Sequence, residues 1–314
     1  MIVNKQVMKI VHHVNRNAKA YLMVALVFGT AGTLLLGGSH ALTPTANIEA
    51  EAGTATGATA VSDSSASGGS AIRFHQTCTV SATLVNSCRP WLGAAANNYP
   101  GITGLANRIA DHESRIGRQL DIVHDYLNPG AVLSSDDVTL ATRANTILLV
   151  NWKPSLTWST AGGSDSTVNT QIDNMANSIK ALGSTKVMLT IFHEPENDVS
   201  TGGDPNCTSI TYQGSAGTVT DYVNMWHNVR SRFDADGVTN VVWVMNYMGY
   251  PTWNCLVPDL WPGNSYVDWI MWDPYSQSSD FSGMVNTFYS YLTTNSDSTH
   301  DYTSKPWGLA EWGN

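Results

Sequence analysis

The sequence predicts an α/β fold, a (β/α)8 TIM barrel that is truncated before or within its eighth strand. Short apolar runs alternate with amphipathic segments after Cys88, which is typical of parallel strands joined by helices. The runs are apolar on consecutive positions, as strands buried on both faces are. No glycine-rich phosphate loop follows the first run, which disfavours a nucleotide-binding doubly wound sheet. The predicted strands are 91–95, 120–126, 146–152, 187–192, 241–245, 266–272 and 307–310.

Amphipathic helices are predicted between several of these strands. Apolar residues recur at steps of three and four between Val168 and Leu182, and Gly183 follows as a helix cap. The same spacing recurs over 222–233 and 281–292. Because the sequence ends soon after the seventh run, we expect a barrel that is incomplete at its C-terminus, most simply because the sequence is a fragment.

The first 41 residues predict a targeting segment. They contain four cations and no Asp or Glu, and an apolar run over 21–36 precedes Ser39-His40-Ala41. Small residues three and one positions before a break are what a signal-peptide cleavage site needs. We therefore predict a signal peptide over 1–41, with an uncleaved N-terminal anchor as the alternative. Either segment would export the rest of the chain.

The next segment, 42–75, is rich in Ala, Gly, Ser and Thr, which predicts a flexible linker. Within it, the stretch from Ile48 to Phe74 resembles the opening of carbohydrate-binding β-sandwich modules that begin with a Glu-Ala-Glu strand. A complete sandwich needs about 100 residues, so the resemblance implies a remnant, with a working binding element as the alternative. The predicted barrel domain is 76–314.

The charge of the chain argues against nucleic acid and anionic membranes as partners. The net charge is −9, and beyond the first 41 residues 12 Lys and Arg face 25 Asp and Glu. A protein that binds nucleic acid or an anionic membrane needs clustered cations on its own surface. A charged fraction of only 13%, with 11 Trp and 12 Tyr, fits an exported protein that handles neutral, ring-shaped ligands. We expect no membrane contact beyond the possible N-terminal anchor.

Four cysteines lie in the predicted exported part, and an even count there suggests disulfides. Cys78 and Cys88 are close in sequence, which favours a local bridge. Cys207 and Cys255 follow the fourth and fifth strands, whose loops adjoin in a parallel barrel. We therefore predict a second bridge between them, with two free buried thiols as the alternative.

Neither a metal nor a cofactor is predicted. The sequence has no CxxC or HExxH pattern, the common signatures of a zinc site. The loop from Asp198 to Asp204 is acidic enough to consider calcium. An acidic loop is more often simply solvated, so we assign no ion to it.

Two carboxylates follow strands that lie on opposing sides of the predicted barrel. Functional groups of this fold sit where the strands end, and there the fourth run is followed by Glu194 and the seventh by Glu311. Aromatic residues flank both. Glycoside hydrolysis needs such a pair, because one carboxylic acid protonates the leaving oxygen while the other carboxylate attacks the anomeric carbon. A single strand-end Glu is more often solvated or salt-bridged, but two on facing strands favour catalysis.

The segments LTIFHEPEND, NVVWVMNYM, YVDWIMWDPY and KPWGLAEWG, in this order, resemble the retaining (β/α)8 glycosidases. They are most similar to glycoside hydrolase family 26, the β-mannanase family, over roughly 91–314. The resemblance implies that Glu194, directly after His193, is the acid/base and that Glu311 is the nucleophile. It also implies that Tyr275 holds the nucleophile and that Trp152 lies in the cleft.

The sequence departs from the family pattern after the acid/base. Mannanases usually continue with an Asn-Gly and aromatic-rich stretch, whereas Pro195-Glu196-Asn197-Asp198 follows here. Lys153 stands where the family often has a His. These positions belong to the sugar subsites, so they put the substrate in doubt more than the reaction. Glu196 is a rival for the acid/base role, but Glu194 is favoured because it directly follows the His at the strand end.

The mechanism implied by this pair begins with a protonated Glu194, because burial and the nearby Glu311 should raise its pKa. Glu311 should be ionised, held by Tyr275 and by His193, and should form a covalent glycosyl-enzyme that water activated by Glu194 then hydrolyses. Four aromatic residues are candidate stacking surfaces for sugar rings, with core packing as the alternative for each: Trp152, Tyr247, Trp272 and Trp312.

The predicted function is therefore that of a retaining endo-β-glycosidase on a β-linked polysaccharide, with mannan first and β-glucan or β-xylan next. A non-catalytic carbohydrate-binding barrel or an inactive fragment is the alternative, because a barrel that lacks one strand exposes two edges and part of its core. We expect a monomer that is secreted or anchored at the outer cell surface.

Overall fold

The computed structural model describes residues 58–74, 78–96, 100–200, 207, 214–275 and 280–313. The chain divides into two compact units, 1–77 and 78–314. In the first unit, the strands Ala58–Ser62 (β1) and Ser70–Phe74 (β2) form an antiparallel hairpin around a short 3-10 turn, Ser67–Gly69. The predicted linker therefore contains a hairpin in its second half. The predicted targeting segment, 1–41, and the Glu-Ala-Glu stretch lie outside the described residues.

The second unit contains a parallel sheet of seven strands that pair in the order of the chain. All seven predicted strands are present, and the alternating (β/α) barrel fold is confirmed. Within the described residues, no ladder joins the first of these strands to the last, so the sheet is an open, curled part of a barrel. The strands are Gly93–Ala95 (β3), Ile122–Leu127 (β4), Ile147–Trp152 (β5), Val187–Ile191 (β6), Val241–Tyr247 (β7), Trp269–Trp272 (β8) and Trp307–Leu309 (β9).

Helices follow most of the barrel strands and cover the outer face of the sheet. The predicted helix after β5 spans Ser166–Lys180, with Asp165 accepting hydrogen bonds from Thr167 and Val168 at its N-terminus. It ends before Leu182, and Gly183 adopts a left-handed conformation in the turn that follows. The described α-helices are Leu105–Ile116, Ser135–Thr142, Ser166–Lys180, Pro195–Asp198, Val219–Ala235 and Phe281–Thr294, and shorter 3-10 and π segments lie at Pro251–Leu256 and Thr160–Ser164.

Side chains of the central strands alternate between two apolar clusters. Leu149, Met188 and Val242 point to the barrel interior and belong to an inner cluster. Their sequence neighbours point outward, into a larger cluster between the sheet and the helices. This alternation follows from the two-residue period of a strand. It decides which strand-end residues can reach the open end of the barrel.

The loop between the first two cysteines packs against the inner cluster. Leu84, Val85 and Trp91 contact it, and the indole N–H of Trp91 donates to the Leu84 carbonyl at 2.6 Å. Because Trp91 lies just before β3 and the functional ends of the strands lie at their carboxyl termini, this loop lies at the opposite end of the barrel from the strand-end carboxylates.

Both predicted disulfides are present. Cys78 is bonded to Cys88 and Cys207 to Cys255, each pair with a Cα–Cα distance of 5.5 Å. The second bridge ties the loop after β6 to the loop after β7, as expected for neighbouring parallel strands. A membrane-spanning helix is not found among the described residues, whose helices are too short or too polar for that purpose.

Candidate active site

Glu194 lies where the chain turns out of strand β6. The backbone of Phe192 and of Glu194 is left-handed, with φ of 55° and 51°, a conformation that residues with side chains rarely adopt outside functional or tightly held sites. The N–H of Glu194 donates to the carbonyl of Asn246 at the end of β7, at 2.9 Å. The short helix Pro195–Asp198 begins directly after it. Glu194 is therefore presented at the carboxyl end of the sheet, which we call the mouth.

Glu311 follows strand β9 and is held by two tyrosine hydroxyls. Tyr126, near the end of β4, donates to Glu311 Oε1 at 2.6 Å, and Tyr275, after β8, donates to Oε2 at 2.8 Å. The backbone N–H of Glu311 donates to Asp273 Oδ1 at 2.9 Å. Both carboxyl oxygens are thus hydrogen-bond acceptors, which suits an ionised carboxylate.

Glu194 and Glu311 interact electrostatically across the mouth. Burial, and then the negative charge of Glu311, raise the pKa of Glu194. Burial and the same neighbouring carboxylates raise the pKa of Asp273 well above its usual range. The charge of Glu194 is among the causes that raise the pKa of Asp273, so the two carboxyl groups are electrostatic neighbours. The mouth therefore places two carboxyl groups of raised pKa beside Glu311, whose oxygens accept hydrogen bonds from two tyrosines.

Two histidines line this region in their neutral form. Burial lowers the pKa of His193 and of His124 to about 4, so neither carries a charge at neutral pH. His124 stacks on Tyr126 with ring centroids 4.4 Å apart, and His193 meets the edge of the same ring at 5.6 Å. The two rings thus support the tyrosine that donates to Glu311. His193 is close enough to Glu311 for its pKa to respond to that charge.

Three of the four predicted stacking residues are not in the mouth. Trp152, Tyr247 and Trp272 are all 0% exposed and belong to the outer core, between the sheet and the helices. The cleft position predicted for Trp152, and the stacking role predicted for the other two, are therefore wrong. The physical reason is strand alternation, because Trp152 follows the inward-facing Asn151 and so points outward. Core packing, the alternative given for each of these residues, is the role in which the structure places them.

Trp312 is the predicted stacking residue that remains accessible. It is 58% exposed and lies next to Glu311 in the chain. Phe281, 55% exposed, meets it edge to face with ring centroids 5.7 Å apart. Tyr275 is also 58% exposed. Exposed aromatic rings beside a carboxylate are suited to stacking against the apolar face of a sugar ring.

Sequence reasoning missed three residues of the site, namely Tyr126, His124 and Asp273. Tyr126 and Glu311 are 185 residues apart in the sequence, so no local motif joins them. The signal that could have found them is the alternation of side chains along a strand. His124 and Tyr126 lie on the same face of β4 as Ile122, which packs against the inner cluster.

Glu196, the rival to Glu194, is 1% exposed and accepts hydrogen bonds from main-chain N–H groups of the loop after β7.

A metal site is not apparent in the described part of the chain, where no three His, Cys, Asp or Glu side chains are grouped to hold an ion. Of the acidic loop considered for calcium, only 198–200 is described. Lys153, where the family often has a His, lies over the ring of Phe192 at 4.3 Å. Its positive charge acts on Glu194 and on Asp198.

Comparison with known proteins bears on the fold. No family model matches the chain. Among solved structures, the GH26 domain from the PbGH26-GH5A endo-beta-mannanase/endo-beta-glucanase of Prevotella bryantii superposes with a TM-score of 0.51 at 21% identity, covering 71% of this chain and 76% of that one. The chain shares the barrel fold of a family 26 glycoside hydrolase. The YdhT protein from Bacillus subtilis gives a TM-score of 0.49 at 16% identity, over 71% of this chain and 72% of that one.

One curated protein is similar in sequence. Endoglucanase H of Acetivibrio thermocellus is 27% identical over 200 residues, which is 59% of this chain and 20% of that protein. The chain thus matches about a fifth of the length of this relative. The barrel of this chain and the resemblance noted from its strand-end motifs agree with both comparisons.

Proposed function

We propose that this protein is an exported retaining endo-β-glycosidase that hydrolyses a β-linked polysaccharide, with mannan the first candidate and β-glucan or β-xylan next. The observation that carries the proposal is the unequal pair of carboxyl groups at the ends of β6 and β9. Glu311 accepts hydrogen bonds from two tyrosines, while burial and Glu311 raise the pKa of Glu194. Glycosidases require such a division into a carboxylate and a protonated acid.

In the first step, Glu311 attacks the anomeric carbon and Glu194 gives its proton to the leaving glycosidic oxygen. The carbon–oxygen bond to the leaving sugar breaks as the bond to Glu311 forms. The hydroxyls of Tyr126 and Tyr275 orient the attacking carboxylate. They release it as it becomes an ester, because an ester oxygen is a weaker acceptor than a carboxylate.

In the second step, water replaces the sugar that has left. Formation of the ester removes the negative charge of Glu311, and that charge is one of the causes that raise the pKa of Glu194. Glu194, now deprotonated, accepts a proton from the water that attacks the anomeric carbon. The ester bond breaks, Glu311 is a carboxylate again, and Glu194 has regained its proton.

Asp273 belongs to this proposal as the group that links both carboxylates. It accepts the backbone N–H of Glu311 and the side-chain N–H of Asn246, the latter at 2.7 Å, and it interacts electrostatically with Glu194. Asp273 is therefore proposed to hold Glu194 and Glu311 in a fixed position relative to each other.

Two further observations support the substrate class and the location. The names of the similar proteins describe an endoglucanase and an endo-beta-mannanase/endo-beta-glucanase, both of which act on β-linked polysaccharides. The exposed rings of Tyr275, Phe281 and Trp312 offer neutral surfaces for sugar. Two disulfides fit an oxidising, extracellular environment.

The proposal is tested by reducing-sugar release from mannan, mixed-linkage β-glucan and β-xylan, with Glu194→Ala and Glu311→Ala as controls for a contaminating enzyme. Wild-type protein should release reducing ends from at least one of them, and both variants should not. If wild-type protein releases none but is retarded in gels that contain one of these polysaccharides, the protein is a carbohydrate-binding barrel and the enzymatic proposal fails.

A further inference from the structure

Glu196 is a buried carboxyl group that the proposed reaction does not use. It lies in the short helix Pro195–Asp198, two residues after Glu194, and is 1% exposed. The main-chain N–H of Met248 lies 3.0 Å from each of its oxygens, and the N–H of Gly249 donates to Oε1 at 3.3 Å. A carboxyl group so enclosed has no face open to a substrate.

The position of these N–H groups explains why a side chain is needed there. Strands β6 and β7 pair in register as far as Thr190 and Val244. The chain after β6 then leaves the ladder through the left-handed residues Phe192 and Glu194. Buried main-chain N–H groups require acceptors, and beyond the ladder the Glu196 carboxyl serves as the acceptor for Met248 and Gly249.

Glu194 is consequently held on both sides. On one side its own N–H donates to the carbonyl of Asn246 at 2.9 Å, and on the other Glu196 binds the chain two and three residues further on, in the loop after β7. A left-handed backbone at a residue other than glycine persists only where surrounding contacts enforce it. On the C-terminal side of Glu194 these contacts come from Glu196, together with the bond from the Asn197 N–H to the Glu194 carbonyl at 3.2 Å.

The geometry points to Glu196 as a positioning residue that holds Glu194 in the conformation its acid role requires, by fastening the loop after β6 to the end of β7. This inference rests on the proposed function of Glu194. Asn246 extends the effect, because its carbonyl accepts from the Glu194 N–H while its side chain donates to Asp273, the carboxyl that interacts electrostatically with Glu194. The disulfide Cys207–Cys255 ties the same two loops further out.

Amide hydrogen exchange tests the fastening without any need for activity. In Glu196→Ala, the N–H groups of Glu194, Met248 and Gly249 should exchange at least about 10-fold faster than in the wild type, while Glu196→Gln, which keeps one acceptor oxygen, should lie between. Glu113→Ala is the matched control, because Glu113 accepts the N–H of Leu120 before β4 and pairs with Arg143 before β5, at the end of the sheet away from the mouth. It should leave those three amides unchanged.

Kinetics with two kinds of leaving group test the role in acid catalysis. A dinitrophenyl leaving group needs no proton, whereas a sugar leaving group does. With Glu196→Ala, kcat/KM on the polysaccharide should fall about 10- to 100-fold, as for a displaced catalytic group. On the matching dinitrophenyl β-oligosaccharide, kcat/KM should stay within about 2-fold, because it reports only the step up to the covalent intermediate. Glu113→Ala should leave both unchanged.

Both the kinetic and the exchange experiments can overturn the inference about Glu196. An equal fall on both substrates would mean that Glu196 maintains the mouth as a whole, and unchanged exchange at Glu194 would mean that it does not hold that residue; either result overturns the inference. If the wild type hydrolyses none of the polysaccharides, the proposed function fails, and exchange at Glu194 still decides whether Glu196 positions it. Exchange is compared in the native state, so a variant of lower stability remains informative.

Discussion

At the carboxyl ends of the barrel strands, the side chains that point into the barrel differ in polarity from those that point toward the helices. The inward face is polar, whereas the outward face is apolar and includes the fully buried rings of Trp152, Tyr247 and Trp272 under the helices. Neighbours in the chain, such as Asn246 and Tyr247 or Trp272 and Asp273, fall on opposite faces. The inward residues are His124, Tyr126, Asn151, Thr190, Asn246 and Asp273.

A single strand-end motif can supply both a residue of the apolar core and residues of the active site. The segment Trp272-Asp273-Pro274-Tyr275 contributes a tryptophan to the outer core, a buried carboxyl that binds the Glu311 N–H, and a tyrosine that binds the Glu311 side chain. A residue that lies beside a catalytic motif in sequence is therefore not for that reason beside the substrate. Substitutions on the two faces should accordingly affect different measurements.

The largest effect is expected when the carboxylate pair is broken. Glu311→Ala removes the attacking group, so turnover should fall by on the order of 10⁴-fold or more, as with other covalent nucleophiles. Azide should restore part of the activity and yield a glycosyl azide of inverted configuration, because the small anion fills the space left by the side chain. Activity equal to the wild type, measured by reducing-sugar release, would rule out the proposed role of Glu311.

The outward face should affect stability instead. Trp272 is 0% exposed and packs against Phe288 and Trp307 with ring centroids 5.5 and 5.2 Å away. Trp272→Ala should lower the free energy of unfolding by about 3–5 kcal/mol, measured by urea denaturation. The fraction that remains folded at low denaturant should keep its KM. A variant as stable as the wild type would contradict the placement of this ring in the core.

The hydroxyl of Tyr126 should matter for rate and little for stability. It donates to Glu311 Oε1 and so orients the attacking carboxylate, and misplacing a catalytic group costs up to about 100-fold in rate. Tyr126→Phe should therefore lower kcat about 10- to 100-fold with a small change in unfolding free energy. Tyr289→Phe, on the outer surface of the helix Phe281–Thr294, is the matched control and should behave like the wild type in both assays.

Loss of the exposed ring of Trp312 should weaken substrate binding. Stacking of an aromatic ring contributes about 0.5–1.5 kcal/mol, so Trp312→Ala should raise KM about 3- to 10-fold. Its unfolding free energy should change by no more than about 0.5 kcal/mol, because the ring is exposed. Together with Trp272→Ala, this variant tests the comparison directly, since each tryptophan is the sequence neighbour of a site carboxyl but only Trp312 is exposed. A change in stability as large as that of Trp272→Ala would show that both rings belong to the core.

The smallest effect concerns the pH dependence of activity. Glu194 must be protonated to act, so activity is lost as pH rises through its pKa, which Lys153 lowers by its positive charge. Lys153→Met removes that charge and should move the alkaline limb of kcat/KM to higher pH. The acid side of the profile provides the internal comparison. A shift of the alkaline limb to lower pH would contradict the assignment of Glu194 as the acid.

The fold could be predicted from sequence because each parallel strand is a separate apolar run and neighbouring runs pair in order. The bond between Cys207 and Cys255 followed from the same order. Which strand-end residues point into the barrel could not be predicted. A strand buried on both sides, such as Ile147–Trp152, does not alternate between polar and apolar residues, so its sequence does not show which residues point inward. The contact of Tyr126 with Glu311 joins opposite parts of the chain and depends on the curvature of the whole sheet.

The most direct test of the account is to trap the covalent intermediate. A 2-deoxy-2-fluoro β-glycosyl fluoride of the preferred sugar slows the second step more than the first, so the ester accumulates and peptide mass mapping locates it. The account predicts a single adduct on Glu311, absent from Glu311→Gln and still formed in Glu194→Ala, since a fluoride leaving group needs little acid assistance. An adduct on Glu194 or on Glu196, or turnover of the polysaccharide with an inverted first product and no adduct, would contradict it.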